Sequence, residues 1–574
     1  MGKLIKKTDA VLFCCTLMIA LLLSIITISS PAPQNKDDWF SAERAYHHLE
    51  TIAKNQHSVF HLNEIEDVRN YLEMTIDAFQ NVKWERVKHH QIEVNNQKSG
   101  AKEWIDVDNI YAEIKGTSGM YLLLMSHYDS CPYKEKYGVA TDGAYGAADD
   151  GYGLAAMLEI MRLLNDYAAG NNLVNGIKFV FTDAEEVALG GAKALVKEYA
   201  QWLTDVNIVI NLEARGNKGP LYMFQTSDNN YKLIDFYSRS RLPFSFSVAA
   251  GVYRHLPNDT DFTPFLNEGY AGLNFSTLNH LKYYHTPDDN LDNAHQPALQ
   301  FYGEQIYPLV MEYIGKERYS TPEAFVSNSN AVFFTLLPGL LVFYSQTVSQ
   351  VLTIIITLSV IAVVYSGMRR KALSLKKALT AFGIWMGFIL ISAIAGWFLA
   401  KFIGFVTGNR FALTFMPYVP FDLGFVVIFA AIVLAAGIFI AKLCRKLNCG
   451  LNETMGGAIF LMLLFNIVFA FLLHGGTYLF LWPLIFMSGI FSLNLFCSSR
   501  NKWWRHVLCV FAVLVISILY MTIIYSLFLA LTFGALAVIL LLAGLYGCTL
   551  VPFGLIQIEE MENRIYIKKQ KSDN

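Results

Sequence analysis

Five short stretches of the chain together supply two histidines and several carboxylate side chains. Imidazole nitrogens and carboxylate oxygens are common protein ligands of divalent transition metals. Two such ions about 3.5–4 Å apart can share a water molecule, lower its pKa and stabilise the attacking and leaving oxygens of a hydrolysis. The stretches are SHYDS with His127 and Asp129, GAADDGYG with Asp149 and Asp150, FTDAEE with Glu185 and Glu186, NLEARG with Glu213, and YYHTPDD with His285.

A two-metal site of this kind has a defined requirement for side chains. It needs a bridging carboxylate, a carboxylate and a histidine that complete the shell of each ion, and a free carboxylate that takes the proton of the water. Two histidines and four acids meet this requirement. The neighbours Glu185 and Glu186 can divide the work, because one can bind metal while the other stays unbound as the general base.

Apolar runs near these stretches predict the elements that position them. Four runs of five residues are typical of buried strands, and Leu154 to Leu164 has apolar residues at helical spacing. Strands that alternate with helices predict an α/β sandwich around a central mixed, largely parallel sheet. Open α/β sheets bind ligands beyond the carboxyl ends of their strands, so we expect the stretches to meet at one edge. The predicted strands are Tyr121 to Met125, Ile177 to Phe181, Ile208 to Leu212 and Ala271 to Phe275.

Each stretch also has a simpler explanation when it is taken alone. A histidine after a strand is commonly a hydrogen-bonded loop residue, and adjacent glutamates commonly begin a helix, where the macrodipole favours acids. Asp-Asp-Gly is commonly a turn or a helix cap. The metal site is favoured because all of these coincidences would have to occur at the same edge of the sheet.

Charge divides the chain into two parts. Residues 36–323 contain 25 Lys and Arg and 40 Asp and Glu, a formal charge of -15, whereas the remainder contains 20 basic and 7 acidic residues, a charge of +13. We therefore expect an acidic soluble domain and a basic membrane part. The basic clusters lie at membrane edges and give no indication of nucleic-acid binding.

Eight apolar segments approach or exceed the length of about 20 residues that a transmembrane helix needs. Cytoplasmic loops are rich in Lys and Arg, and with the N-terminus inside, only Lys401 and Arg410 of the basic residues in the membrane part fall on the far side. This topology places the acidic domain outside the cytoplasm. The segments are Ala10 to Ile28, Ser345 to Gly367, Ala378 to Ala400, Leu423 to Ala441, Met455 to Leu473, Thr477 to Cys497, His506 to Leu527 and Ala530 to Ile556.

Two further segments bear on the domain boundaries. Ala331 to Tyr344 is short and contains Pro338, which predicts an interfacial element that leads into the second span. The first apolar segment is longer than the usual core of a signal peptide, so a retained anchor is favoured over a cleaved leader. The predicted parts are a cytoplasmic tip and anchor (1–35), an extracytoplasmic domain (36–325), a membrane domain with about seven transmembrane helices (326–558) and a cytoplasmic tail (559–574).

In their order along the chain, HYD, DDGYG, AEEVALGG, NLEARG and YHTPDDN resemble the motifs of the co-catalytic zinc exopeptidases of metallopeptidase family 28. The stretch INLEARGNKGPLYMFQT and the multi-span C-terminal half are similar to the membrane-bound branch of that family, which includes endoplasmic reticulum metallopeptidase and vacuolar membrane protease. The resemblance covers about residues 40–315. It implies a zinc-exopeptidase-like sandwich, followed here by a multi-span α-helical membrane domain.

Carried onto this sequence, the resemblance implies that Glu185 is the general base and that Asp129 orients His127. It also implies a cis peptide bond between Asp149 and Asp150. Two divalent ions, in the first place Zn²⁺, would be bound, one by His127, Asp149 and Glu213 and the other by Asp149, Glu186 and His285.

The chain departs from the family pattern at one position that bears on catalysis. Secreted relatives have an oxyanion-stabilising tyrosine four residues before the aspartate that corresponds to Asp261, and this chain has Pro257 there. The oxyanion donor therefore stays open among Tyr253, Arg254, His255 and Arg215.

The sequence thus predicts a membrane-anchored, zinc-dependent exopeptidase, in the first place an aminopeptidase that hydrolyses N-terminal residues of peptides. An inactive peptidase-like receptor or scaffold is one alternative, and a carboxypeptidase or dipeptidase on the same fold is another. Peptides and the lipid bilayer are the predicted partners, and no prediction is made for the oligomeric state. A bacterial plasma membrane is favoured over the endoplasmic reticulum or vacuole, because the membrane half is short and the soluble domain has only one cysteine, Cys131.

Overall fold

The computed structural model describes residues 2–95, 102–132, 134–136, 139–256, 258–414, 416, 419–496 and 503–572. The chain forms two compact units. The sheet unit comprises Ile28–Ser345, and the helical unit comprises Met1–Thr27 together with Gln346–Asn574. The compact unit that contains the predicted soluble domain therefore continues to Ser345, beyond the predicted boundary at residue 325.

The sheet unit contains helices on both sides of a set of strands. After α1 (Gly2–Ile28), its helices are α2 (Ala42–Ile52), α3 (Leu62–Asp77), α4 (Gly151–Ala168), α5 (Glu185–Ala188), α6 (Gly190–Glu198), α7 (Tyr231–Tyr237), α8 (Ser247–Tyr253), α9 (Phe262–Asn267) and α10 (Gln296–Ile314). Its strands are β1 (Lys83–Asn95), β2 (Lys102–Ile114), β3 (Tyr121–His127), β4 (Lys134–Lys136), β5 (Val139–Thr141), β6 (Gly176–Thr182), β7 (Val206–Ala214), β8 (Lys218–Thr226), β9 (Gly272–Asn279), β10 (Ala331–Leu337) and β11 (Leu340–Ser345).

A seven-stranded sheet forms the centre of the sheet unit, in the order β1-β2-β6-β3-β7-β9-β8. The central strands β6, β3, β7 and β9 are parallel, whereas β1, β2 and β8 pair antiparallel at the two sides. The predicted mixed, largely parallel sheet is confirmed. The four predicted strands correspond to β3, β6, β7 and β9, and the predicted helix lies inside α4.

The central strands are covered on both faces. Every residue of β3, β6 and β7 is buried, as expected of parallel strands between layers of helices. Leu123 and Met125 of β3 pack into an apolar cluster with Leu195 of α6 and Phe262 of α9. Successive strand residues point to opposite faces, so the residues between them contribute to the other layer. The sheet is therefore a rigid base for the side chains at its edge.

Residues 331–344, predicted as an interfacial element, form the β-hairpin of β10 and β11 within the sheet unit. Pro338 and Gly339 lie between the two strands, and Gly339 has a φ of 72°, which glycine adopts without the strain that a Cβ causes. The hairpin is hydrogen-bonded to the rest of the unit, for example from Thr335 N to Ser245 O at 2.9 Å. The Pro-Gly turn and the pairing of the two apolar strands explain why this run is a hairpin.

The helical unit consists of long apolar helices. Six apolar helical segments among the described residues are long enough to cross a membrane, and the last, Val507–Leu555, runs through two helices and the 3-10 turn between them. Leu12–Ile28 is a shorter apolar helix. The number of crossings and the orientation of the loops stay predictions. The C-terminal helices are α11 (Gln346–Arg369), α12 (Leu375–Val406), α13 (Asp422–Lys446), α14 (Leu451–Leu472), α15 (Tyr478–Phe496), α16 (Trp503–Leu531) and α17 (Leu536–Ser572).

Candidate metal centre

The five predicted metal ligands lie where the parallel strands end. His127 is the last residue of β3, and Glu213 is the penultimate residue of β7. Glu186 belongs to α5, just beyond β6, and His285 lies in the loop after β9. Asp149 precedes α4, whose first turn is capped by the neighbouring aspartate. The carboxyl ends of adjacent parallel strands share one edge, so the sheet brings all five side chains together.

Two clusters of these side chains share Asp149. Nε2 of His127 lies 3.4 Å from Oδ1 of Asp149 and 3.5 Å from Oε1 of Glu213. Nε2 of His285 lies 3.1 Å from Oδ2 of Asp149 and 2.9 Å from Oε1 of Glu186. All five residues are between 1% and 6% exposed. Each oxygen of Asp149 thus faces a different histidine, which is the arrangement that a bridging ligand requires.

The hydrogen bond of His127 shows that the first cluster suits a cation. Nδ1 of this ring lies 2.9 Å from the carbonyl oxygen of Asp129. A carbonyl only accepts, so Nδ1 carries a proton, and Nε2 of the neutral ring presents a lone pair. That lone pair faces carboxylate oxygens, and Nε2 has no hydrogen-bond partner in the described part of the chain. A divalent cation between these atoms would satisfy the nitrogen and the oxygens together.

The electrostatics of the site lead to the same conclusion. Burial and the charge of Glu186 raise the pKa of Asp149 to about 6. Burial lowers the pKa of His127, but the nearby carboxylates of Asp129, Asp149 and Glu213 outweigh that effect and raise the pKa well above the ordinary value. Oδ2 of Asp149 and Oε2 of Glu213 are buried without a hydrogen-bond partner among the residues described. Buried, crowded carboxylates are costly unless positive charge compensates them, so the donor set fits divalent metal.

The two adjacent glutamates occupy different environments. Ala184 adopts a left-handed conformation with φ of 56°, and the chain turns there into the single-turn helix α5. Glu186 is 6% exposed and contacts His285, whereas Glu185 is half-buried. Burial and the charge of Glu213 raise the pKa of Glu185. The geometry therefore allows one glutamate to bind metal while the other meets substrate and water.

The segment before α6 is fixed by close packing and a buried salt bridge. A Cβ at Gly191 would lie 2.3 Å from Oδ1 of Asn109 and 2.6 Å from N of Asp183, so only glycine permits this approach. Oδ2 of Asp183 accepts hydrogen bonds from Nη2 of Arg69 at 2.6 Å and from the N–H of Asp108 at 2.9 Å. These contacts hold the end of β6, from which both glutamates project. Gly191 thus has a packing role.

Asp129 makes separate contacts through its backbone and its side chain. Its backbone carbonyl accepts the hydrogen bond of His127 Nδ1, whereas its Oδ1 lies 3.5 Å from that nitrogen. The carboxylate instead accepts hydrogen bonds from the N–H groups of Glu185 at 2.9 Å and Glu186 at 3.2 Å. Asp129 therefore connects the end of β3 to the turn that carries both glutamates.

Two supporting residues were not predicted from the sequence. Asp289 accepts hydrogen bonds from the N–H groups of Ala148 at 2.8 Å and Asp149 at 3.2 Å. The O–H of Tyr302 donates to the carbonyl of Glu213 at 2.6 Å. The second aspartate of YHTPDDN was a signal for Asp289, but the contact of Tyr302 spans 89 residues and has no local signal.

Two backbone details near the bridging carboxylate agree with the sequence analysis. The peptide bond between Asp149 and Asp150 is cis, which confirms the expectation from the resemblance. Asp150 also caps α4, since its side chain accepts a hydrogen bond from the N–H of Gly153 at 3.3 Å. The Asp-Asp-Gly stretch therefore is a helix cap and contributes a carboxylate to the clusters.

Tyr253 is the one tyrosine among the four candidates for the oxyanion donor. It is the last residue of α8, and its ring packs edge-on against Phe224 at 4.7 Å between centroids. Burial raises its pKa, and the charges of Arg215 and Glu213 act on it in opposite directions. The tyrosine is thus within electrostatic range of the metal cluster.

The other candidate donors differ in their surroundings. The guanidinium of Arg215 lies 5.1 Å from the ring centre of Tyr284, which stacks on His285 with 3.6 Å between centroids. Arg254 instead forms a salt bridge with Asp228. The remaining positions are His255, which is exposed, and Pro257, which lies outside the described residues.

Comparisons with known proteins agree with the motifs. Residues 109–310 match the sequence profile of Peptidase family M28. The chain is 25% identical over 308 residues to the vacuolar membrane protease of Clavispora lusitaniae, with 50% of this chain and 28% of that protein covered. It is 28% identical over 220 residues to endoplasmic reticulum metallopeptidase 1 of Rattus norvegicus, with 38% and 24% covered. The chain spans about a quarter of the length of these two relatives.

Among solved structures, the chain is similar to the glutaminyl cyclase of Porphyromonas gingivalis, with 20% identity, a TM-score of 0.38, and coverage of 48% of this chain and 100% of that chain. The names of the two curated relatives refer to vacuolar and endoplasmic reticulum membranes, so the preference for a bacterial plasma membrane gains no support. Residues 109–310 are therefore similar to Peptidase family M28, and these relatives make the chain similar to the membrane-bound branch of that family.

Proposed function

We propose that this protein is a membrane-anchored, zinc-dependent exopeptidase that removes amino-terminal residues from peptides. The position of Asp149 carries the proposal, because its two carboxylate oxygens lie 3.4 Å and 3.1 Å from the Nε2 atoms of two different histidines. One carboxylate between two clusters is what a pair of co-catalytic ions needs. The match to a peptidase family supports hydrolysis of peptide bonds.

Two divalent ions, when bound, lower the pKa of a shared water molecule and stabilise the charge that develops on the attacked carbonyl group. The mixed imidazole and carboxylate shells suit zinc. The tautomer of His127 is set by the carbonyl of Asp129, which leaves Nε2 available as a ligand. One ion would be held by His127, Asp149 and Glu213, and the other by Asp149, Glu186 and His285.

Glu185 is the general base in this proposal. It is half-buried, it adjoins the ligand Glu186, and its backbone N–H is bound by the carboxylate of Asp129 at 2.9 Å. A carboxylate held in this way can accept a proton from the attacking water and deliver it to the nitrogen of the leaving amine. Burial and the charge of Glu213 raise the pKa of Glu185.

The charge of the domain supports recognition of a peptide amino terminus. Residues 36–323 carry a formal charge of -15, and acidic groups beyond the ligand set, such as Asp129 and Asp261, are buried near the clusters. Negative charge in excess of the charge of the bound ions would attract an α-ammonium group and repel a terminal carboxylate. An aminopeptidase is therefore favoured over a carboxypeptidase.

Arg215 supports a second candidate function. It follows the ligand Glu213 by two residues and lies over the ring of Tyr284, which stacks on the ligand His285. A guanidinium can bind a terminal carboxylate through two parallel hydrogen bonds, as a carboxypeptidase or dipeptidase requires. An inactive receptor or scaffold is less favoured, because it would not need all five ligands.

A terminus-blocking experiment tests these alternatives. The full chain, purified in detergent, would be incubated with one tripeptide in three forms, namely free, N-acetylated and C-amidated, and with a panel of aminoacyl chromogenic substrates. We expect cleavage of the free and amidated forms and none of the acetylated form. Cleavage of the free and acetylated forms, but not of the amidated form, would instead establish a carboxypeptidase.

The variant Glu185→Gln tests the base, with Glu323→Gln at an exposed position as the matched control. Loss of a general base should lower kcat by about 10²–10⁴-fold, while metal analysis by mass spectrometry still finds two ions per chain. The control should keep full activity. If wild-type protein binds no metal, the metallopeptidase proposal is wrong, whereas full activity in Glu185→Gln would require another base.

A further inference from the structure

A cysteine lies beside the second metal cluster. Sγ of Cys131, a carboxylate oxygen of Glu186 and a ring nitrogen of His285 all lie within 4.8 Å of one another. All three residues are buried, and Cys131 is only 1% exposed. The sequence analysis noted Cys131 only as the single cysteine of the soluble domain. Its position places a sulfur atom next to two predicted metal ligands.

A fourth donor points into the same cluster. Oδ2 of Asp149 is buried, lies 3.1 Å from Nε2 of His285, and has no hydrogen-bond partner among the residues that the structure describes. One sulfur, one nitrogen and one carboxylate oxygen therefore lie close enough together to reach one ion, and Asp149 adjoins the histidine. Thiolate sulfur is a preferred protein ligand of zinc, and a catalytic zinc ion can take a fifth ligand, so a position for the shared water molecule remains.

The backbone around Cys131 is fixed from both sides. The N–H of His57 donates to Oγ of Ser130 at 3.0 Å, and the N–H of Ala144 donates to the carbonyl of Cys131 at 2.9 Å. The thiol itself donates to the carbonyl of Pro132 at 3.2 Å. A thiol is a weak donor, so little is lost if a metal ion replaces that proton. The sulfur is thus held beside the cluster by the fold.

We propose that Cys131 is a thiolate ligand of the metal ion held by Glu186 and His285. This inference rests on the two-metal site of the proposed function. As the sulfur–metal bond forms, the S–H bond breaks and its proton passes to solvent. The two ions then differ, because one has only nitrogen and oxygen ligands, whereas the other also has sulfur.

The proposal makes Cys131 a determinant of metal preference. Imidazole and carboxylate shells accept zinc, cobalt and manganese, but a soft thiolate favours zinc and cobalt over manganese and magnesium. The ion beside Cys131 should therefore be the more selective of the two. Replacement of Cys131 by serine should make the two positions alike and weaken retention of zinc at the second position.

Cobalt spectroscopy on the full chain provides the test. Chelator-stripped protein in detergent would receive two equivalents of Co²⁺, and its ultraviolet and visible absorption would be recorded. We expect a sulfur-to-cobalt charge-transfer band in the near ultraviolet, in addition to the weaker visible bands of bound cobalt. The band should disappear in Cys131→Ser and in Cys131→Ala, and it should persist in the control Cys14→Ser, at an exposed position of α1.

Each outcome separates this inference from the function on which it rests. Two bound cobalt ions without a sulfur band in wild-type protein, or an unchanged band in both Cys131 variants, would overturn the thiolate ligand and leave the two-metal site intact. Failure of wild-type protein to bind cobalt would overturn the two-metal site itself. As a second measurement, competition between Zn²⁺ and Mn²⁺ should show zinc retention reduced by at least about 10-fold in Cys131→Ser.

Discussion

The sheet unit buries many Asp, Glu, Lys, Arg and His side chains, whereas the described part of the helical unit buries none of these. The buried polar residues of the helical unit are Ser, Thr and Asn. A charge removed from water is costly in a protein core and costly again inside a bilayer, so it persists where it has a partner or a task. In the sheet unit, the buried charges include the metal clusters and their supports. The buried groups near the clusters are His127, Asp129, Asp149, Asp150, Glu186, Glu213, Asp261, His285 and Asp289.

The polar groups of the helical unit have a different use. Nδ2 of Asn466 in α14 donates to Oγ1 of Thr353 in α11 at 3.1 Å. The O–H of Tyr546 in α17 donates to Oγ of Ser517 in α16 at 2.6 Å. These hydrogen bonds join one helix to another, which is a common role of small polar side chains in membranes. The comparison teaches that chemistry is concentrated in the sheet unit, while the helical unit uses polarity for packing.

The largest expected effect comes from Asp149→Asn. An amide at this position removes the negative charge shared by both clusters, so we expect loss of both ions and peptidase activity at the level of chelator-treated wild-type protein. Metal content by mass spectrometry and turnover of a peptide substrate measure this. Asp166→Asn on the exposed side of α4 is the control and should change neither. Retention of two ions in Asp149→Asn would show that the carboxylate is not shared.

Tyr253→Phe should have the next largest effect. If the phenol donates a hydrogen bond to the oxyanion, its removal should lower kcat by about 10²–10³-fold while KM and metal content stay near those of wild-type protein. Steady-state kinetics on one peptide measure both constants. Tyr167→Phe, at the far end of α4, serves as the control. Unchanged kcat in Tyr253→Phe would show that Tyr253 is not the oxyanion donor, and Arg215 would then be the next candidate.

Asp129→Asn should lower kcat by a smaller factor, about 10–100-fold, because the asparagine loses the charge and one of the two acceptors that bind the N–H groups of Glu185 and Glu186. Both metal ions should remain, since His127 is bound by the backbone carbonyl, which the substitution keeps. Kinetics and metal analysis of the same sample test this. Loss of the ion at His127 would instead support the predicted contact between the carboxylate and the histidine.

Much of the site could be predicted because the chemistry is encoded locally. His127, Glu185, Glu186 and Glu213 each lie within a few residues of an apolar run that forms a parallel strand, so strand order alone brings them together. Residue type then indicates metal binding. The same local logic predicted the central sheet, since buried parallel strands have nearly continuous apolar sequences.

What the sequence did not predict depends on contacts between distant segments. Tyr302 meets the carbonyl of Glu213 from a helix 89 residues away, and Cys131 approaches His285 only after the chain has folded. The contact of the Asp129 carboxylate with the turn that carries Glu185 and Glu186 had no signal in the sequence, because it joins segments that are 56 and 57 residues apart. Residues 331–344 were interpreted as an interfacial element, and their pairing as a hairpin was not predicted, because apolar composition alone does not distinguish the two.

The smallest expected effect tests the helical unit. Asn466→Leu removes the hydrogen bond to Thr353, and such bonds contribute about 0.6 kcal/mol on average in membrane proteins. We expect a slightly lower thermal midpoint in detergent and a peptide kcat/KM within about 2-fold of wild type, because the side chain packs helices and takes no part in the chemistry. Asn452→Leu, which removes a hydrogen bond to a backbone carbonyl near the start of the same helix, is a matched control. A large loss of kcat/KM in Asn466→Leu with an unchanged thermal midpoint and full metal content would mean that the helical unit contributes to turnover, and the contrast between the two units would no longer hold.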